Sequence, residues 1–173
     1  MEEYPKNNFM IKHLALILLT LIPVFAFAQS RENIADTQKF GVRLFLVPDA
    51  AAFEAMWTKP ETPKLTAFNK VATNSEFAAV ILYWGGGQGS DKNCNIQLST
   101  TVLAGSEVKA TGVSMPVCGG HEPPAPGVLA LGDTTVDLVA SGDPAKLTIK
   151  IEVTDLINNE KLVVSAPIEV VPQ

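Results

Sequence analysis

The sequence predicts an all-β chain of two antiparallel sheets packed face to face, about eight strands in all, with one short helix near residues 50–57. Three observations carry this expectation. Phe77-Ala-Ala-Val-Ile-Leu-Tyr-Trp84 is an uncharged run of eight, rich in β-branched and aromatic types and closed by Gly85-Gly86-Gly87, which suits a strand buried on both faces and is short for a helix. Turn residues recur every 8–12 positions, the spacing of short strands joined by tight connections. No stretch has the helical length that a crossover between parallel strands requires.

Before the domain, lysines at positions 6 and 12 precede the apolar stretch Leu14 to Phe27 and the small-x-small pattern Ala26-Phe27-Ala28. Residues 1–28 therefore read as a secretory signal peptide, with Met1 and Met10 both candidate starts. That stretch of 14 residues, interrupted by Pro23, falls short of the roughly 20 that a spanning helix needs, and no later stretch is long enough. Cleavage near Ala28 would deliver a secreted or periplasmic bacterial protein without a membrane span. Residues 29–39 are polar and aperiodic and are expected to form a flexible leader.

Residues 40–173 are expected to form a single domain. In Gly41 to Val47, Val42, Leu44 and Leu46 share one face of a strand that Pro48 ends. Asp49 can cap a helix over 50–57, whose face of Phe53, Met56 and Trp57 is expected to close one end of the core. A proline-marked loop leads to a weakly alternating strand over 65–73, then to the central run and its glycine bend over 85–93. The segment 95–103 alternates Ile96, Leu98, Thr100 and Val102 against polar neighbours and forms a hairpin with 107–113 through Ala104-Gly105-Ser106. Four prolines between Met115 and Gly127 point to a stiff exposed loop. Short strands follow at 128–131 and 134–139. The clearest strand is 146–154, with Leu147, Ile149, Ile151 and Val153 inward, and 162–171 completes the chain with Pro167 at a bulge or an edge.

The net charge is −5, spread along the chain with no basic cluster, so nucleic acid and anionic lipid are excluded as expected partners. Cys94 and Cys118 both follow the signal peptide, and export favours a disulfide between them. Closing that loop would contribute about 3.5 kcal/mol by the chain-entropy argument. Zinc would need His121 and a fourth ligand to join the two cysteines, and no C-x-x-C pair is present.

The stretch Gly142-Asp-Pro-Ala-Lys-Leu-Thr-Ile-Lys-Ile-Glu-Val-Thr-Asp155, followed by Asn158-Asn-Glu-Lys-Leu162, resembles the closing hairpin of bacterial immunoglobulin-like domains. Those often run Gly-x-Tyr-x-hydrophobic-x-hydrophobic-x-Val-x-Asp before a polar turn, and Leu147 stands here at the tyrosine's place. Phe40 to Trp57, with Cys94 and the proline-rich loop, resembles small secreted bacterial proteins. The resemblance implies an immunoglobulin-like β-sandwich and an export route, and it carries over no catalytic residue.

Candidate chemistry is sparse. His121 is the one histidine after residue 28, and it lies in a Gly-Gly-His-Glu-Pro-Pro loop without a Gly-x-Ser-x-Gly partner motif. Gly85-Gly-Gly-Gln-Gly89 leads into a strand rather than a helix, so it lacks the support of a phosphate loop and reads as a bend needing positive φ. Asp91, Asn93 and Asn95 alternate as calcium ligands can, yet Ile96 stands where an EF-hand loop needs glycine and Val102 where it needs glutamate. The reading that remains is an exported, non-catalytic binding domain with no cofactor or metal, whose partner is an envelope or secreted protein. Its candidate binding residues, Gly87, Asp91, Asn93, His121 and Glu122, lie on two loops, 85–93 and 116–127, that the disulfide would hold together. The alternatives are a calcium or small-ligand module, the latter near Trp57 and Trp84, and, last, an envelope hydrolase using His121 with Glu122 or Asp91.

Overall fold

The computed structural model describes residues 32–60, 65–66 and 68–173. The expected signal peptide over 1–28 lies outside them. Among the described residues the elements are β1 (Ile34–Asp36), β2 (Phe40–Val47), α1 (Ala50–Trp57), β3 (Lys70–Ala72), β4 (Glu76–Gly85), β5 (Asn95–Ala104), β6 (Glu107–Thr111), β7 (Met115–Gly119), β8 (Ala130–Leu131), β9 (Val136–Val139), β10 (Ala145–Asp155) and β11 (Glu160–Val171). The chain is an all-β sandwich. One sheet runs β1-β2-β4, with β8 and β9 both paired to β4, and the other runs β3-β11-β10-β5, with β6 and β7 both paired to β5.

Alternation places the core. Leu44 and Ile81 of the first sheet and Ile96, Leu98, Ile149, Ile151 and Val164 of the second are all buried in one cluster between the sheets. Burial of each such side chain stabilises the fold by about 1.5–3 kcal/mol relative to exposure. β4 is buried on both faces, as its uninterrupted apolar run requires: Phe77, Ala79, Ile81 and Tyr83 point inward, and Ala78, Val80 and Leu82 join a second cluster outside.

That second cluster corrects the expected position of α1. The helix begins where the Asp49 side chain accepts from Ala52 N at 3.0 Å. Phe53 then buries itself over the outer face of β4, stacked on Trp57 with ring centroids 6.1 Å apart and packed against Phe45 at 6.2 Å. The helix covers a sheet face instead of closing an end, because β4 offers apolar side chains on that face too.

Four further expectations need correction. The strands number eleven among the described residues, and one pair, β3 with β11, is parallel. The strand expected over 65–73 contracts to β3. Residues 32–36 of the expected leader are tied into the fold: β1 pairs with β2, while Ser165 N donates to Glu32 O (2.7 Å) and Leu44 N to Asn33 O (2.8 Å), so this segment bridges the edges of both sheets. The stiff loop expected from Met115 begins instead with β7, which buries Val117 and Cys118. Pro116 is tolerated because β7 pairs only with β5 and the register shifts between Ile96 and Gln97 beside it.

Pro167 sits at an edge, in an unbroken register opposite Thr148. Its neighbours show why. Ser165 N and Glu169 N donate away from β10, to Glu32 O and Asn69 O, so the nitrogen of Pro167 faces the same outer side and no ladder bond is lost.

Candidate functional site

The C-terminal end of β4, the start of β5, the end of β7 and the β10–β11 turn meet at one end of the sandwich. The glycine bend after β4 is held there by its backbone. Gly85 has φ +69° and Gly86 φ +113°, a region that favours glycine, and a Cβ on Gly85 would collide with the Lys39 carbonyl oxygen. Gly85 N donates to Pro124 O at 3.0 Å and Gly86 N to Lys39 O at 3.1 Å.

Beneath the bend lies Asp155, 0% exposed. Its Oδ2 accepts from Gly87 N at 2.6 Å and from Asn158 Nδ2 at 3.0 Å, and its Oδ1 accepts from Ile157 N (3.0 Å) and Asn158 N (3.3 Å). A buried carboxylate with four donors satisfies its lone pairs and fixes two loops at once. Sequence reasoning missed this residue, although the alternation through Leu147, Ile149, Ile151 and Val153 places position 155 on the core face.

The disulfide Cys94–Cys118 joins the bend to β7 with Cα atoms 5.8 Å apart, as expected from sequence. The two expected loops do come together: Cys94 N donates to His121 O at 2.8 Å, and Gln88 Nε2 to Glu122 Oε1 at 3.2 Å. Of the candidate residues, Gly87, His121 and Glu122 are thereby gathered at this end. Asp91 and Asn93 are occupied with each other. Asp91 Oδ1 accepts from Asn93 N at 3.1 Å and Oδ2 from Asn93 Nδ2 at 2.9 Å, which is a polar turn with an amide donor facing the carboxylate rather than a set of converging oxygens.

His121 is held by a residue the sequence did not single out. Asp133, in the turn after β8, accepts from Gly119 N through Oδ2 (2.8 Å) and lies 2.9 Å from His121 Nε2 through Oδ1. The other ring nitrogen faces Glu122 O at 3.1 Å. The hydrogen bond to Asp133 raises the pKa of His121 above its ordinary value, the Glu122 carbonyl and the Asp133 charge add to the rise, and desolvation opposes it. Both ring nitrogens are thus engaged, Nε2 with the Asp133 carboxylate and Nδ1 with the Glu122 carbonyl. Asp133 had no local signal. It reaches β7 because Asp133 N donates to Val117 O at 2.9 Å and Gly132 N to Ile81 O at 2.8 Å.

A cleft of about 410 Å³ opens beside this cluster, lined among others by Lys39, Gly86, Gln88, Pro124, Pro126 and Asn158. In the adjoining β10–β11 turn, Leu156 and Ile157 are 48% and 38% exposed. Trp57, the residue of the small-ligand alternative, is elsewhere and packs as its helical spacing predicts, stacked on Phe53. No helix among the described residues is long and apolar enough to cross a membrane.

No protein-family model and no curated protein matches the sequence. Among solved structures, the chain is similar to a family 123 glycoside hydrolase from Clostridium perfringens at 12% identity and a TM-score of 0.38, over 76% of this chain and 27% of that one. The chain thus spans about a quarter of that enzyme's length, and the likeness carries nothing about activity.

Proposed function

We propose that the protein is an exported, non-catalytic binding domain of the immunoglobulin-like β-sandwich type, which recognises an envelope or secreted protein with the loops at one end. The observation that carries this reading is the locking of residues 85–93, 119–127 and 155–160 to one another by the disulfide, the buried Asp155 and the Gly85–Pro124 and Cys94–His121 backbone bonds. Irregular loops held this firmly lose little further entropy on binding. The cleft, with the Gln88 and Asn158 amides and the Lys39 cation, and the exposed Leu156 and Ile157 of the adjoining β10–β11 turn together combine polar orientation with apolar area, the composition of a recognition surface. Export rests on the signal-peptide pattern and on the disulfide.

The test is a crosslinked pull-down from envelope extract, with wild-type protein and with a triple variant Gln88→Ala, Glu122→Arg and Leu156→Asp. These residues are surface-exposed, so the fold is retained and can be checked by thermal melting. Enrichment of one partner by wild type and its loss with the triple variant supports the reading. Equal capture by both places recognition elsewhere on the domain.

A further inference from the structure

We propose that reduction of the Cys94–Cys118 disulfide converts this end of the sandwich into a binding site for a thiophilic d10 cation, Zn²⁺ or Cu⁺, held by the two thiolates and the His121 imidazole. The ligand atoms are already assembled: one sulfur from each cysteine and a ring nitrogen of His121 all lie within 4.8 Å of one another. The Cys118 sulfur is 3.8 Å from both ring nitrogens. A tetrahedral zinc site with bonds of about 2.3 Å to sulfur and 2.0–2.1 Å to nitrogen sets its ligand atoms about 3.5–3.8 Å apart, and the Cys118 sulfur and the His121 ring are already close to that spacing. The sulfurs need only separate to that spacing. Cα atoms 5.8 Å apart allow this by side-chain rotation, without moving β5 or β7.

The surroundings complete the site. Asp133 Oδ1 faces Nε2 at 2.9 Å and would keep that nitrogen protonated, in the carboxylate–histidine–metal arrangement that orients an imidazole and raises its basicity. Nδ1 would exchange the Glu122 carbonyl, 3.1 Å away, for the metal. Both cysteines are buried at 4% and 1% exposure, while the His121 side chain is 48% exposed, so the cation would sit where the buried core meets the surface. Three protein ligands satisfy Cu⁺ and leave Zn²⁺ one position for water or an external ligand.

The chemistry balances with a dithiol as reductant. Thiol–disulfide exchange transfers two electrons and two protons to the cysteine pair and leaves the dithiol as its own disulfide. Metal binding then releases both thiol protons. The oxidised protein has no thiolate to offer and should bind neither ion.

The test uses the whole protein, oxidised and reduced by a phosphine that is removed by anaerobic gel filtration before any metal is added. Zn²⁺ and Cu⁺ affinities are measured separately against chromophoric chelators, and Co²⁺ spectra report thiolate ligation. The expected result is one ion per reduced chain and none per oxidised chain. His121→Ala should weaken binding at least tenfold, and Asp133→Asn by about 10–100-fold. Preference for Cu⁺ or for Zn²⁺ names the ion. Circular dichroism of the reduced protein guards against trivial loss: a fold that persists, or that the ion restores, supports the site. Absence of binding by the reduced chain, affinity unchanged in His121→Ala, or a reduced chain that stays unfolded with either ion would overturn it.

Discussion

Asp155 Oδ2 accepts a hydrogen bond from Gly87 N at 2.6 Å across 68 residues of sequence, and this contact joins the end of the clearest strand to the glycine bend. The same carboxylate also collects three donors from Ile157 and Asn158. Removing it strands several polar groups in a place that water does not reach. Asp155→Ala is therefore expected to cost about 2–4 kcal/mol, read as a lower midpoint of denaturant unfolding with an unchanged slope. Asp143→Ala, at an exposed turn, should fall within about 0.5 kcal/mol of wild type.

The disulfide makes a second, separable contribution. Cys94→Ser with Cys118→Ser should lower stability by up to about 3.5 kcal/mol, since the unfolded chain regains the freedom of a closed loop with a sequence separation of 24. Amide exchange measured residue by residue should show the loss of protection concentrated at 85–94 and 117–127, with β10 and β11 least affected.

One buried hydroxyl lacks a partner. Thr100 is 3% exposed in β5, and its Oγ1 meets no hydrogen-bonding group. Thr100→Val keeps the shape and the β-branching while removing the desolvated oxygen. Stability is expected to rise by about 1 kcal/mol, measured by thermal melting; a drop would mean that the hydroxyl has a partner such as an ordered water.

Among the described residues, Tyr83 and His121 carry shifts that make stability depend on pH. Burial pushes the Tyr83 phenol up to about 12, with the Asp133 charge adding to it, against an ordinary value of 10.0. The unfolded chain then loses its proton first, so stability should fall as pH rises from about 10 to 12 and level off above. His121 is raised as well, so its contribution is fully present below its ordinary value of 6.5 and is lost as pH rises through the folded value. Imidazole carbon shifts should titrate above 6.5 in wild type and move back toward it in Asp133→Asn.

Much of this was legible in the sequence, and the exceptions have physical reasons. The uncharged run 77–84 announced a strand covered on both faces, and it is covered by the second sheet on one side and by α1 on the other. The cysteine pairing and the approach of the two loops followed from composition and export. Pro116 misled because proline forbids a central strand but not an edge segment beside a register shift. Asp155 was readable from parity alone, yet a charged side chain at an inward position looks like a turn until its four donors are seen. Asp133 and the β1 segment depend on contacts with distant chain, which no local pattern encodes.

The central claim is that recognition occurs at the locked loop end, and site-directed photocrosslinking tests it most directly. A photoreactive residue is placed at position 88, in the glycine bend, and in a second protein at position 150, on the wet face of β10. After irradiation in envelope extract, a discrete adduct is expected from position 88 and none from position 150. An adduct from position 150 alone, or none from position 88, would contradict the claim.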